Sequence, residues 1–154
     1  GLGEIMVLLC FGLIATCGSA YVQVRDVPWA AWWGAFVVGL QACAILLANN
    51  IRDVPTDREV GKRTLAVRLG DARTRVFFQL LFVPPVLAIA ALSYKGNGPW
   101  VLLGLAGILA ARGPVSVVRN GAKGRDLIAV LGGVGRAQLI FGVTFAAGLF
   151  ITYS

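Results

Sequence analysis

The chain has 154 residues, 58% of them apolar and only 14% charged, with a net charge of +7 and no histidine. Soluble domains carry about 25% charged residues, so this composition excludes an ordinary water-exposed surface. It also excludes disorder, which needs low hydrophobicity, imidazole chemistry, and a disulfide scaffold, for which three cysteines are too few.

The charges divide the chain. Of the 21, eleven lie between Arg52 and Arg75 and five between Arg119 and Arg136; the others are Glu4, Arg25, Asp26, Lys95 and Arg112. A helix rises about 1.5 Å per residue, so about 20 apolar residues cross a hydrocarbon core of about 30 Å. The uncharged stretches predict an all-α, single-domain membrane bundle of five transmembrane helices, at about 5–24, 28–48, 76–94, 97–118 and 136–153. The first stretch lacks a basic leader and an A-x-A site, so it reads as a permanent span. Trp29, Trp32 and Trp33 follow Pro28 and, with Trp100, suit an outer aromatic belt. A polar connection, 49–75, follows the second span. Pro84-Pro85 predicts a kink in the third, as readily for packing as for cavity width. Arg112-Gly113-Pro114 predicts a break in the fourth, with Arg112 either snorkelling or lining a cavity. Asp126 to Leu131 reads as a short surface helix. Gly132-Gly133-Val134-Gly135 lacks the strand and the Lys of a nucleotide loop. Cys10, Cys17 and Cys43 read as small core residues.

Lys and Arg set the orientation. The connection after the second span holds seven and that after the fourth holds four, Arg136 included, while the other two hold one each. Basic loops stay in the cytoplasm, which predicts a multi-pass protein of the cell membrane with 49–75 cytoplasmic. Basic loops and aromatics then fall on opposite sides, which argues against nucleic acid.

The connection opens with two adjacent asparagines, costly near lipid unless partnered. Asn49, Asp53 and Asp57 follow at intervals of four, one helical face. Such oxygen ligands suit magnesium, which takes one or two carboxylates plus phosphate oxygens. Arg52, Arg58, Lys62 and Arg63 surround them and suit phosphate. Carboxylates, a divalent cation and basic residues together suit a diphosphate, whose departure they would stabilise. A plainer reading stands beside this one. Glu59 with Lys62 and Arg63 forms pairs found on any solvated helix, Asp57 caps a helix after Pro55, and Pro55 breaks the shared face.

The string Asn49-Asn50-Ile51-Arg52-Asp53-Val54-Pro55-Thr56-Asp57-Arg58-Glu59-Val60-Gly61-Lys62-Arg63-Thr64-Leu65-Ala66-Val67-Arg68-Leu69-Gly70 resembles the second aspartate-rich motif of the UbiA superfamily of intramembrane aromatic prenyltransferases. Gly1-Leu2-Gly3-Glu4, Tyr21-Val22-Gln23 and Leu127-Ile128-Ala129-Val130-Leu131 resemble that family more loosely. The N-N-x-R-D form is similar to the branch whose acceptor is 1,4-dihydroxy-2-naphthoate; 4-hydroxybenzoate or a haem ring is the alternative within the family. The resemblance implies nine helices around a cavity open to the membrane. It also implies Mg²⁺ and a polyprenyl diphosphate bound by two Asp-rich motifs, and attack by an aromatic carbon on an allylic cation. It places metal at Asp53, Asp57 and Asn50, with Asp53 and Asp57 catalytic. Asn49, Arg52, Lys62 and Arg63 then fall to the diphosphate. The family's first motif has no counterpart among the five aspartates. The five spans therefore correspond to helices five to nine, the N-terminal half is an expected partner, and the chain alone is expected to be inactive. Against a transporter-like bundle stands the placement of ionisable groups, gathered at one end rather than at mid-span.

Overall fold

Backbone groups inside lipid must satisfy their hydrogen bonds within one segment, so long apolar runs close into helices. The computed structural model describes residues 1–154 and holds helices and turns without a strand. Its elements are α1 (Gly3–Val24), α2 (Trp29–Glu59), the short α3 (Leu65–Leu69), α4 (Asp71–Asn97), α5 (Pro99–Arg119) and α6 (Asp126–Tyr153). All but α3 are long and apolar enough to cross a membrane.

The helix α2 is the hub. Over half of its apolar window is buried, against 11% for α1. Its 31 residues rise about 46 Å, beyond a hydrocarbon core of about 30 Å. The expected connection 49–75 is thus mostly helical. The chain leaves α2 only after Glu59, turns through 60–64, and winds into α3 on the Thr64 cap, whose hydroxyl accepts from the Val67 amide at 3.3 Å. Pro55 lies inside α2 without ending it. The Thr56 hydroxyl donates to the Asp53 carbonyl at 3.0 Å, and the Lys62 amide closes the helix end on the Asp57 carbonyl at 2.8 Å. These bonds and the packing of α3 offset the proline's missing donor.

The α1 segment Leu8–Ile14 is wound in wider π turns and crosses α2 with backbone against backbone. A Cβ on Gly12 would stand 2.7 Å from the Gly39 Cα and 2.8 Å from the Ala35 carbonyl. α1 then stops at Arg25, whose backbone is left-handed (φ 57°).

Prolines mark two interruptions. α4 breaks at Leu81–Phe82, just before Val83-Pro84-Pro85 restarts it, because prolines cannot donate to the carbonyls one turn back. α5 turns at Ala111 and resumes at Arg112, with Pro114 two residues on in its first turn. The separate surface helix expected at 126–131 does not exist: α6 runs unbroken from Asp126. Two of its glycines are packing surface: a Cβ on Gly133 would meet the Pro114 ring at 2.6 Å, and one on Gly148 would overlap the Trp100 backbone.

Two apolar clusters hold the bundle. Leu47, Phe78, Leu127 and Val130 meet toward the charged end, and Val37, Ile89, Val101 and Phe141 toward the tryptophan end. Buried Arg75 ties α4 to the end of α5. It donates to the carbonyls of Val118 and Ala122, both at 2.8 Å, and to the Asp71 carboxylate at 2.8 Å.

Candidate functional site

The unbroken α2 decides where the polar residues stand. Positions 31, 38, 42, 45, 49 and 53 recur every three or four residues, or two turns apart, and form one stripe. All are partly exposed, while Ala35, on the same face, is buried where α1 crosses, as are the neighbouring Leu40, Ala44, Leu47 and Ala48. Apart from that crossing the stripe faces an open side of the bundle. At its tryptophan end, Ala31, Gly34 and Val38 join Phe141, Gly142 and Phe145 of α6 around a mostly apolar groove of about 420 Å³. At its charged end stand Asn49 and Asp53.

The Asn49–Asp53–Asp57 ladder lies on one continuous helix, but its rungs differ. Asp53 is partly exposed and held by its neighbour in a two-point pair, Arg52 Nε to Oδ1 at 2.7 Å and Nη2 to Oδ2 at 2.9 Å. Asp57 is only 5% exposed. Its Oδ1 accepts from Lys62 Nζ at 3.1 Å, and its Oδ2 is buried with no hydrogen-bond partner. Lys62 is thus engaged with a carboxylate. Arg58 and Glu59 are exposed and form no ion pair, so the pairs of a solvated helix are absent here.

Asn50 faces another way from Asn49. It is buried, lies on the helix face of Asp57 at seven residues' spacing, and donates from Nδ2 to Glu4 Oε1 at 3.0 Å. Asn50, Lys62 and Arg63 line one cavity of about 250 Å³ together with Glu4, Leu46 and Thr64. The structure thus gathers three of the expected residues there. Asn49 and Asp53 belong to the open stripe, and Arg52 joins it through its pair with Asp53.

No three His, Cys, Asp or Glu side chains converge, so the protein does not build an all-carboxylate cage. Magnesium does not need one, since it binds through one or two carboxylates plus substrate phosphates. The orphaned Asp57 Oδ2 is a buried anionic acceptor without a donor, which costs free energy until a cation or donor arrives. The residues present fit that ion.

Glu4 and Arg75 escaped the sequence reading. Glu4 carried a signal, because it is the lone charged residue of α1, and such a residue in an apolar helix points to function. Arg75 carried none, being one cation among many in a basic segment.

Comparison with known proteins identifies the family. The profile of the UbiA prenyltransferase family matches residues 1–130. The chain is 41% identical over 150 residues to the 1,4-dihydroxy-2-naphthoate octaprenyltransferase of Mycobacterium tuberculosis, covering 97% of this chain and 50% of the relative. It is 33% identical over 153 residues to the protein of that name in Haemophilus influenzae, covering 98% and 49%. It is 32% identical over 106 residues to the UbiA prenyltransferase domain-containing protein 1 homolog of Drosophila melanogaster, covering 68% and 29%. No solved structure gave a significant match. The chain spans about half the length of the first of these curated relatives. Five membrane-length helices, the Asn49–Gly70 motif and the family match lead to one assignment: the chain belongs to the UbiA prenyltransferase family.

Proposed function

We propose that this chain is part of a magnesium-dependent enzyme that joins a polyprenyl group to 1,4-dihydroxy-2-naphthoate with loss of carbon dioxide and gives demethylmenaquinone in its reduced, quinol form. The observation that carries the reading is the shared stripe of α2. One helix face holds Asn49 and Asp53 at its charged end and the apolar groove at Ala31 and Val38. A molecule with a diphosphate head and a long hydrocarbon tail matches that order of surfaces. The names borne by the relatives support the aromatic acceptor.

In the proposed reaction the allylic carbon–oxygen bond breaks and the diphosphate leaves with its electron pair. The ring carbon bearing the carboxylate attacks the allylic carbon. Carbon dioxide then departs, and its bonding pair restores the aromatic ring. Asp57 and Asp53, with the Asn50 amide oxygen, would hold Mg²⁺, which when bound supplies positive charge to the leaving diphosphate. Asn49, Arg52, Lys62 and Arg63 would hold the outer phosphate oxygens, Arg52 and Lys62 by exchanging their carboxylate partners for phosphate. Asp57 Oδ2 is the acceptor already waiting for a cation.

The excess of Lys and Arg at this end supports a cytoplasmic position for the site in the cell membrane. The half-length match to relatives supports a second, N-terminal segment completing the cavity. This chain alone is then inactive.

The test uses the full-length polypeptide that carries this chain, purified into lipid vesicles. With Mg²⁺, a polyprenyl diphosphate and 1,4-dihydroxy-2-naphthoate, mass spectrometry should find a prenylated, decarboxylated product. Product from 4-hydroxybenzoate instead would reassign the acceptor. Absence of product from either would overturn the reading.

A further inference from the structure

We propose that Glu4 is a positioning residue that fixes the orientation of the Asn50 side-chain amide, so that Asn50 Oδ1 is presented to the magnesium–diphosphate site. The inference rests on the reading of that site given above.

Three observations converge. Glu4 is buried to 9% exposure and forms no ion pair, although Lys62 and Arg63 line the same cavity. Its Oε1 instead accepts from Asn50 Nδ2 at 3.0 Å. A carboxylate without its proton has only acceptors, so it can hold only the NH₂ end of an amide. The oxygen end must then point away. Asn50 Oδ1 meets no protein donor and is not sealed in the interior, and Asn50 lines the 250 Å³ cavity. A side chain that would otherwise offer either end is set with its oxygen free.

Glu4 is itself held in place. Its backbone carbonyl accepts from the Cys43 thiol at 3.0 Å, two turns before Asn50 on α2. The contact between Gly12 and Gly39 presses the same helix pair together further along. The start of α1 thus serves as a fixed wall behind Asn50. Partners that orient ligands in this way cost about 10–100-fold in metal affinity when removed.

The experiment measures how binding of a polyprenyl thiodiphosphate, whose carbon–sulfur bond resists ionisation, depends on Mg²⁺ in the full-length polypeptide. Glu4→Ala should raise the Mg²⁺ needed for half-maximal binding about 10-fold. Glu4→Gln, which keeps a carbonyl for Asn50 but can also turn its amide, should fall between Glu4→Ala and the parent. The Glu4→Ala effect should vanish in an Asn50→Ala background, because a residue acting through Asn50 has nothing left to orient. Wild-type Mg²⁺ dependence in Glu4→Ala, or effects that multiply in the double variant, would overturn the inference. Where Glu4→Ala does not fold, the same cycle with Glu4→Gln decides, since a Gln effect that persists without Asn50 overturns it equally. Asp53→Asn and Asp57→Asn separate the two levels. If both leave Mg²⁺-dependent binding intact, the metal reading falls and takes this inference with it. If both abolish it while Glu4→Ala does nothing, only the role of Glu4 falls.

Discussion

The guanidinium of Arg75 and the carbonyl of Val118 meet at 2.8 Å across 43 residues of sequence. The same guanidinium reaches the Ala122 carbonyl and Asp71, and Arg75 is only 6% exposed. Its fork bridges the Val118 carbonyl, which also accepts from the Gly121 amide, and the Ala122 carbonyl in the turn beyond α5. Hydrogen bonds to a charged group are worth about 1.5–3 kcal/mol each, and losing a buried partner costs more than a solvated one. Arg75→Ala should destabilise the protein by about 3 kcal/mol, read as an earlier thermal transition in detergent. Arg75→Lys should recover less than half, because an ammonium lacks the planar fork. A wild-type transition in Arg75→Ala would deny the tie any structural role.

A second prediction concerns Gln41, fully buried within α2 with neither amide atom partnered. An unsatisfied buried polar group costs about 1–3 kcal/mol. Gln41→Met, of similar volume, should therefore stabilise the protein by about 1 kcal/mol. Destabilisation would mean that water or another group satisfies the amide.

The crossing of α1 and α2 leaves no room at Gly12. Gly12→Leu places side-chain atoms where the Gly39 Cα and the Ala35 carbonyl already stand, and backbone cannot turn aside as a flexible side chain can. The helices must separate, at about 1–3 kcal/mol or more. Hydrogen exchange should show faster opening of α1, and Gly18→Leu, with open space at its Cβ, should change little.

Gly142 tests the groove. It lines the groove between α2 and α6, and a Cβ there meets nothing within 4 Å. Gly142→Phe should fold normally and fill space that the proposed prenyl tail occupies. Initial rates should fall about 10-fold or more with a long polyprenyl diphosphate and far less with a short one. Equal losses for both lengths would remove the tail from this groove.

Removal of the ion is the remaining test. Chelation with EDTA should abolish turnover, and added Mg²⁺ should restore it. Asp57→Asn should cut turnover about 100-fold or more while leaving the thermal transition in place, since it neutralises the orphaned buried oxygen. Near wild-type turnover from Asp57→Asn would refute the metal role of Asp57.

Much of this architecture was legible because lipid makes hydropathy and length decisive, and five apolar runs became five helices. The misreadings arose where a local signal met packing. Pro55 reads as a break, yet α2 carries it, because the turn around it finds other bonds. Asp126 to Leu131 reads as a separate surface helix, yet α6 runs straight through it and on past Gly133, which seats it against Pro114. In the site, the spacing of Asn49, Asp53 and Asp57 showed a helical face but not which rungs are buried. Nor could spacing show that Asn50, beside that ladder, meets Glu4 of α1 from 46 residues away, a distance no local pattern spans.

The unbroken passage of α2 from Trp29 to Glu59 has a consequence for how this family tolerates change. Groove and carboxylates sit on one rigid rod, so their registration is angular as well as linear. One residue inserted between Ile45 and Asn49 would move Asp53 only about 1.5 Å along the axis but swing it about 100° around it. Head and tail of a bound molecule would then face different sides of the bundle. In this stretch a single-codon indel is a harsher change than most substitutions.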